Sequence, residues 1–106
     1  MSFKLIVAYP PPIDVEAFDR IYREEHVPLA IASLEGKTKM VSTKILGAPD
    51  GNPRFHQIAE VHFPSMEVLQ RCADSAGGKA TLAHAAKISS GGPPVIMVAE
   101  DTVLTF

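Results

Sequence analysis

Two short apolar runs, residues 3–9 and 95–100, alternate with the period of a strand yet carry apolar side chains on both faces. In the first, Phe3, Leu5, Val7 and Tyr9 point one way and Ile6 and Ala8 the other. In the second, Val95, Met97 and Ala99 oppose Ile96 and Val98. Strands of this kind need cover on both sides. A chain of 106 residues has enough material for one domain and one core. Its own helices can cover one face of a sheet. The simplest cover for the other is a second copy of the same sheet, which predicts a twofold homodimer.

The punctuation of the chain gives the order of elements. Pro10, Pro11 and Pro12 end the first strand. Asp14 suits an N-cap and Glu16 the positive first turn of a helix. Phe18, Ile21, Tyr22 and Leu29 then fall at helical spacing, which predicts a helix over 15–33, with Gly36 as its stop. Residues 37–46 and 55–63 alternate like strands around a turn-rich segment, Gly47-Ala48-Pro49-Asp50-Gly51-Asn52-Pro53, and predict a hairpin. Ser65 caps a second helix with apolar positions Met66, Leu69, Cys72, Ala73 and Ala76. Gly77 and Gly78 are expected to break it, and residues 79–88 to resume it. Gly91-Gly92-Pro93-Pro94 leads into the last strand at 95–100, with an extension to 105 left open. The order β-α-β-β-α-β predicts one α+β domain over 1–106, ferredoxin-like, with both helices on one face of a four-stranded antiparallel sheet.

Composition removes whole classes of function. Net charge is −2 with no basic block, which argues against nucleic acid as a partner. The longest apolar stretch, residues 5–12, is broken by three prolines and cannot span a bilayer, and no cleavable signal pattern precedes it. The lone Cys72 cannot form an internal disulfide and falls in an apolar helical stripe. A reducing, cytoplasmic location and a buried structural thiol are expected.

Chemistry, if there is any, belongs at the end of the first helix, where Tyr22-Arg23-Glu24-Glu25-His26-Val27-Pro28-Leu29 stands. Pro28 has no N–H, so the carbonyl of Glu24 loses its usual helical donor. His26 could accept or donate a proton near neutrality, or donate a hydrogen bond to a substrate oxygen. Equally, it could cap the carbonyls that Pro28 frees. Tyr22, one turn earlier, and Tyr9, at the end of the first strand, could each bind a substrate carbonyl or phenolate; the plainer alternative is a core aromatic whose hydroxyl finds a partner. Glu25 falls within the apolar stripe, where desolvation would raise its pKa unless it were paired. It could orient His26 or act as a base; the duller and favoured readings are an ion pair with Arg23 or Lys39, or a local kink that turns it to water.

His56, Glu60 and His62 share one face of the third strand by parity. Six residues of strand separate the two histidines by about 20 Å, too far for one ion, so no metal site is expected. A polar lining between the facing sheets of the dimer, or hydrogen bonds between subunits, is the favoured reading, and His62 is kept as a substrate-binding candidate. His84, in Leu82-Ala83-His84-Ala85-Ala86, has small neighbours that leave room for a ligand, although an exposed surface histidine is the default reading. Gly91-Gly92 is not a phosphate loop, because no Lys-Ser/Thr follows.

The chain resembles the ethyl tert-butyl ether degradation (EthD) family of dimeric α+β barrels. The residues that carry the resemblance are Ala8-Tyr9-Pro10, Asp14 with Phe18, the Tyr22 to Leu29 segment quoted above, and Ile58-Ala59-Glu60-Val61-His62-Phe63-Pro64-Ser65, with a similar run at 96–101. The resemblance implies two ferredoxin-like subunits whose sheets face each other. It also implies bacterial small-molecule metabolism. The wider superfamily includes cofactor-free monooxygenases, isomerases, decarboxylases and haem-binding proteins, so the fold alone does not choose a reaction. The family tends to carry an acidic residue near the end of its second helical region, where this chain has His84. Haem ligation by a helical histidine occurs in the superfamily, but no Cys-x-x-Cys-His motif supports it here.

The leading expectation is therefore a cofactor-independent enzyme with oxidoreductase or oxygenase-like chemistry on an apolar, oxygenated small molecule. His26, Tyr9 and Tyr22 are its candidate catalytic residues, and Glu25, His62 and His84 its candidate substrate-binding residues. The competing expectation is a non-catalytic protein of a catabolic pathway that binds or carries such a molecule.

Overall fold

The computed structural model describes residues 2–106. Its strands are β1 (Phe3–Tyr9), β2 (Lys39–Lys44), β3 (Gln57–Phe63) and β4 (Val95–Glu100). They form one antiparallel sheet in the order β2-β3-β1-β4. The helices are α1 (Val15–Ile21), α2 (Val27–Ser33), α3 (Met66–Asp74) and α4 (Ala76–Ile88), and a π-helical turn, Tyr22–His26, joins α1 to α2. This is the predicted ferredoxin-like α+β arrangement.

Register decides which side chains meet. Leu5 lies opposite Val61 and Val98, and Val7 opposite Ala59 and Ile96. Cross-strand partners share a face. Leu5, Val7 and Tyr9 therefore stand with Val61 and Phe63 on the helix side, where Phe18, Tyr22, Leu34, Leu69, Cys72 and Ala85 complete the buried core. The Cys72 thiol is buried as expected, and burial pushes its pKa up.

The opposite face presents Lys4, Ile6 and Ala8 beside Glu60, His62, Ile58 and Met97. Here Lys4 Nζ lies 3.2 Å from Glu60 and 3.0 Å from Asp101, so one end of the face is ionic. Across its middle the face is apolar and open, with Val41 36% exposed and Val95 and Met97 each 43% exposed, while Lys39 and Thr43 of β2 share the face at its edge. On the edge strand β4, Ile96 and Val98 are also exposed, because the helices do not reach that far. Within one chain, the cover expected on both sides of β4 is missing.

The first helix is interrupted where the sequence loses a donor. The Val27 N–H reaches back five residues to the Tyr22 carbonyl, the π spacing, immediately before Pro28. The second helical region breaks at Ser75, earlier than the expected Gly77-Gly78. Ser75 Oγ accepts from the Gly78 N–H at 3.0 Å and caps α4, so both glycines lie inside its first turn. They are there for closeness: a Cβ at Gly77 would strike the Ser33 carbonyl, and one at Gly78 the Cys72 carbonyl. The hairpin strands are shorter than read from the sequence, and β4 stops at Glu100 without extending to 105. Among the described residues, no helix is long and apolar enough to cross a membrane.

Candidate functional site

Three elements bring ionisable side chains together in the core. Tyr9 closes β1 and is fully buried. The π turn carries Tyr22 and His26, four residues apart, and its wide pitch sets their rings nearly over one another, with centroids 5.7 Å apart and 26° between planes. His84 comes from α4 and lies parallel to His26, 7° apart. Edge-on contacts of Tyr9 with Phe18 at 5.1 Å and with Tyr22 at 5.7 Å hold the phenol from two sides.

The polar atoms form a run. Tyr9 Oη lies 3.2 Å from His26 Nε2, and His26 Nδ1 lies 2.9 Å from His84 Nδ1. Proton placement follows from what each atom can do. Among the described residues, His26 Nε2 is the sole polar partner of the Tyr9 hydroxyl. A proton on that nitrogen would leave the buried phenolic hydrogen with no acceptor, which is costly. Hence Tyr9 donates to His26 Nε2, His26 Nδ1–H donates to His84 Nδ1, and His84, accepting at Nδ1, carries its ring proton on Nε2.

Burial keeps Tyr9 and His26 neutral. Burial, and then the neighbouring His84, push the His26 pKa down to about 4. Burial, and then Tyr22, push the Tyr9 phenol up. Burial also raises Tyr22, partly offset by its hydrogen bond with Ser42 Oγ at 2.6 Å. At neutral pH Tyr9 and His26 hold hydrogen-bonded protons and carry no charge. Beside it lies an apolar cavity of about 30 Å³, bordered by Leu5, Val7, Tyr22, His26 and Ala85, with room for a water or two.

The structure brings together His26, Tyr9 and His84, and packs Tyr22 against them. Tyr22 is a core aromatic whose hydroxyl meets Ser42 on β2 rather than His26. Glu25 is exposed and, among the described residues, has no ion pair. The π turn sends it to water, while the neighbouring Arg23 lies 3.6 Å from Glu24. His62 is on the opposite face of the sheet, with Nδ1 3.2 Å from Ser2 Oγ and 3.5 Å from Asp101, and takes no part in this run. His56 does not share its face: it precedes β3, turns toward α1, and lies 2.7 Å from Asp19. Among the described residues no three His, Cys, Asp or Glu side chains are placed to hold a metal ion.

Ser42 escaped the sequence reading, since a serine in an exposed strand gives no sign of its partner. The His26–His84 contact had only a weak signal, two histidines 58 residues apart.

The family model of the EthD domain matches residues 10–91. The chain belongs to the EthD family. A solved EthD family structure from Bacillus halodurans C-125 is 32% identical, with a TM-score of 0.85, covering 96% of this chain and 100% of that one. An uncharacterized 11.0 kDa protein from the thcB-thcC intergenic region of Rhodococcus erythropolis is 29% identical over 96% of this chain and 98% of its own length. A dimeric ferredoxin-like protein of unknown function from Jannaschia sp. CCS1 shares the fold at 14% identity and a TM-score of 0.66, covering 94% of this chain and 98% of that one. Pro10, the π turn and α4 all lie inside the span that matches the EthD model.

Proposed function

We propose that this EthD-family chain is a cytoplasmic, homodimeric, cofactor-independent enzyme that carries out oxidoreductase or oxygenase-like chemistry on an apolar, oxygenated small molecule. The observation that supports this most is the Tyr9–His26–His84 run: three proton-bearing groups in series, leading from buried Tyr9 and His26 out to half-buried His84. Such a run can polarise a substrate oxygen and take up or return a proton without long-range charge separation. A buried histidine with a strongly lowered pKa, linked by hydrogen bonds to a residue that lines a cleft, favours a working role over a structural one. The homodimer reading rests on the open apolar face around Val41, Val95 and Met97.

The test is aerobic incubation with a panel of small phenols, hydroquinones and ketones, following oxygen uptake and product mass. His26→Gln should fold and lower turnover on the order of 10²-fold. A folded His26→Gln protein with full activity would remove the run from the chemistry. Saturable binding without conversion of any member would assign the protein to carriage instead.

A further inference from the structure

The cavity beside His26 cannot admit an organic molecule. At about 30 Å³ it is an order of magnitude below the ligand-pocket range of roughly 300–1,000 Å³. His26 itself is 5% exposed, and both its ring nitrogens are engaged by Tyr9 and His84. A substrate therefore cannot touch His26 in this conformation. A second space of about 400 Å³ lies on the outer side, between α1, the π turn and the end of α4. Its floor is apolar, with Phe18, Ile21 and Ile88, and its rim carries both signs of charge, Asp14 and Glu25 against Lys87. Of the residues in the Tyr9–His26–His84 run, His84 alone lines it. Among the described residues, His84 Nε2 meets no protein partner and is not sealed from solvent.

The proton order worked out above gives this nitrogen a direction. Tyr9 donates to His26 and His26 donates to His84, so His84 faces outward as an N–H donor rather than as an acceptor. We propose that the outer cleft is the substrate site, and that it selects an apolar molecule by a carbonyl oxygen, which accepts a hydrogen bond from His84 Nε2–H. The proposal rests on the reading of the run as the working site and names what that site holds. His84 is then the residue that touches substrate. His26 and Tyr9 are positioning residues: they hold His84 in the tautomer that donates. The rim sets two carboxylates against one lysine, which disfavours an anion, so recognition of a neutral molecule falls to the apolar floor and this one donor.

The experiment uses the ¹⁵N-labelled full chain and two probes of nearly equal shape, acetophenone and ethylbenzene, of which only the first has the acceptor oxygen. Long-range proton–nitrogen spectra of the four histidine rings report tautomer and contact together. The free protein should show His84 protonated on Nε2. Acetophenone should shift the His84 ring signals, leave those of His56 and His62 in place, and bind about tenfold more tightly than ethylbenzene, the scale of one hydrogen bond. His84→Phe, which keeps a planar ring and removes the donor, should abolish that preference. His26→Leu should leave His84 as a mixture of tautomers and shrink the preference, a change that loss of stability alone does not produce. A His84 protonated on Nδ1, equal binding of the two probes, or no response at His84 up to the solubility of acetophenone would each overturn the proposal. Turnover lost in His26→Gln alongside any of those results would leave the enzymatic reading standing and this site wrong. Selective acetophenone binding at His84 with no turnover of any compound would do the reverse.

Discussion

His26 and His84 meet through like atoms, Nδ1 to Nδ1 at 2.9 Å, so one ring must donate and the other accept. A doubly protonated pair would put two hydrogens on the same line. The contact therefore requires the pair to stay neutral or to share one added proton, and the fold enforces this by burying His26 in an aromatic and aliphatic shell.

The first prediction is a pH dependence of stability. The His26 pKa is about 4 in the folded chain against an ordinary value of 6.5. On acidification the unfolded chain binds this proton first. Its contribution is therefore fully present above pH 6.5, is lost as pH falls through about 4, and is flat below. The loss is on the order of 3 kcal/mol. Urea midpoints measured across this window should fall with pH in the wild type and much less in His26→Gln, which has nothing to protonate. Equal slopes in the two proteins would show that His26 titrates normally.

Tyr9→Phe should cost stability although it keeps the ring. The substitution removes the donor to His26 Nε2 and leaves a buried acceptor unpaired, a cost of about 1–3 kcal/mol. Tyr22→Phe removes only a contact with exposed Ser42 on β2, where water can replace the hydroxyl, and should cost about 1 kcal/mol or less. Thermal unfolding of the two variants side by side checks the order. If Tyr22→Phe proves the more damaging, Tyr9 is not the donor to His26.

Much of the fold was legible because turn chemistry and periodicity agreed along the chain. The prolines at 10–12, the capping serine at 65 and the Ala-Pro-Asp-Gly turn at 48–51 all mark element boundaries that the structure keeps. The glycines misled, because Gly77 and Gly78 serve close approach rather than a break, and a sequence shows the residue but not its neighbour. The irregularity at Pro28 was legible as a missing donor, but its resolution as a π turn was not, since that depends on α1 and α2 both being anchored in the core. Of the site, His26, Tyr9 and His84 were each legible as residues able to carry chemistry. Their alignment was not, because it is set by three elements that come together only in the folded chain. His56 fell out of its expected face because β3 begins one residue after it.

The open sheet face should close a dimer. Val41, Val95 and Met97 stand exposed on the side away from the helices, next to the ion pairs of Lys4. Met97→Asp puts a charge into the centre of that apolar area without touching the core below. Light scattering over a concentration series should give twice the chain mass for the wild type, and the chain mass for Met97→Asp with an unchanged circular dichroism spectrum. A wild-type monomer at micromolar concentration would refute the dimer and the barrel that it implies.

The π turn can be tested by length rather than by side chain. Glu25 is exposed and, among the described residues, unpaired, so Glu25→Ala should change stability by no more than about 0.5 kcal/mol. Deleting Glu25 is a different perturbation. It removes the extra residue that lets Val27 bond to Tyr22, and regular α spacing then turns everything beyond the deletion by about 100° relative to α1. Either α1 or α2 must rotate its buried face, Phe18 or Ala30, out of the core, or else His26 must leave Tyr9 and His84. The expected outcome is a folded protein of lower stability whose His26 titrates near the ordinary histidine value instead of about 4. Retention of the depressed value in the deletion variant would show that the π turn is not what holds His26 in place.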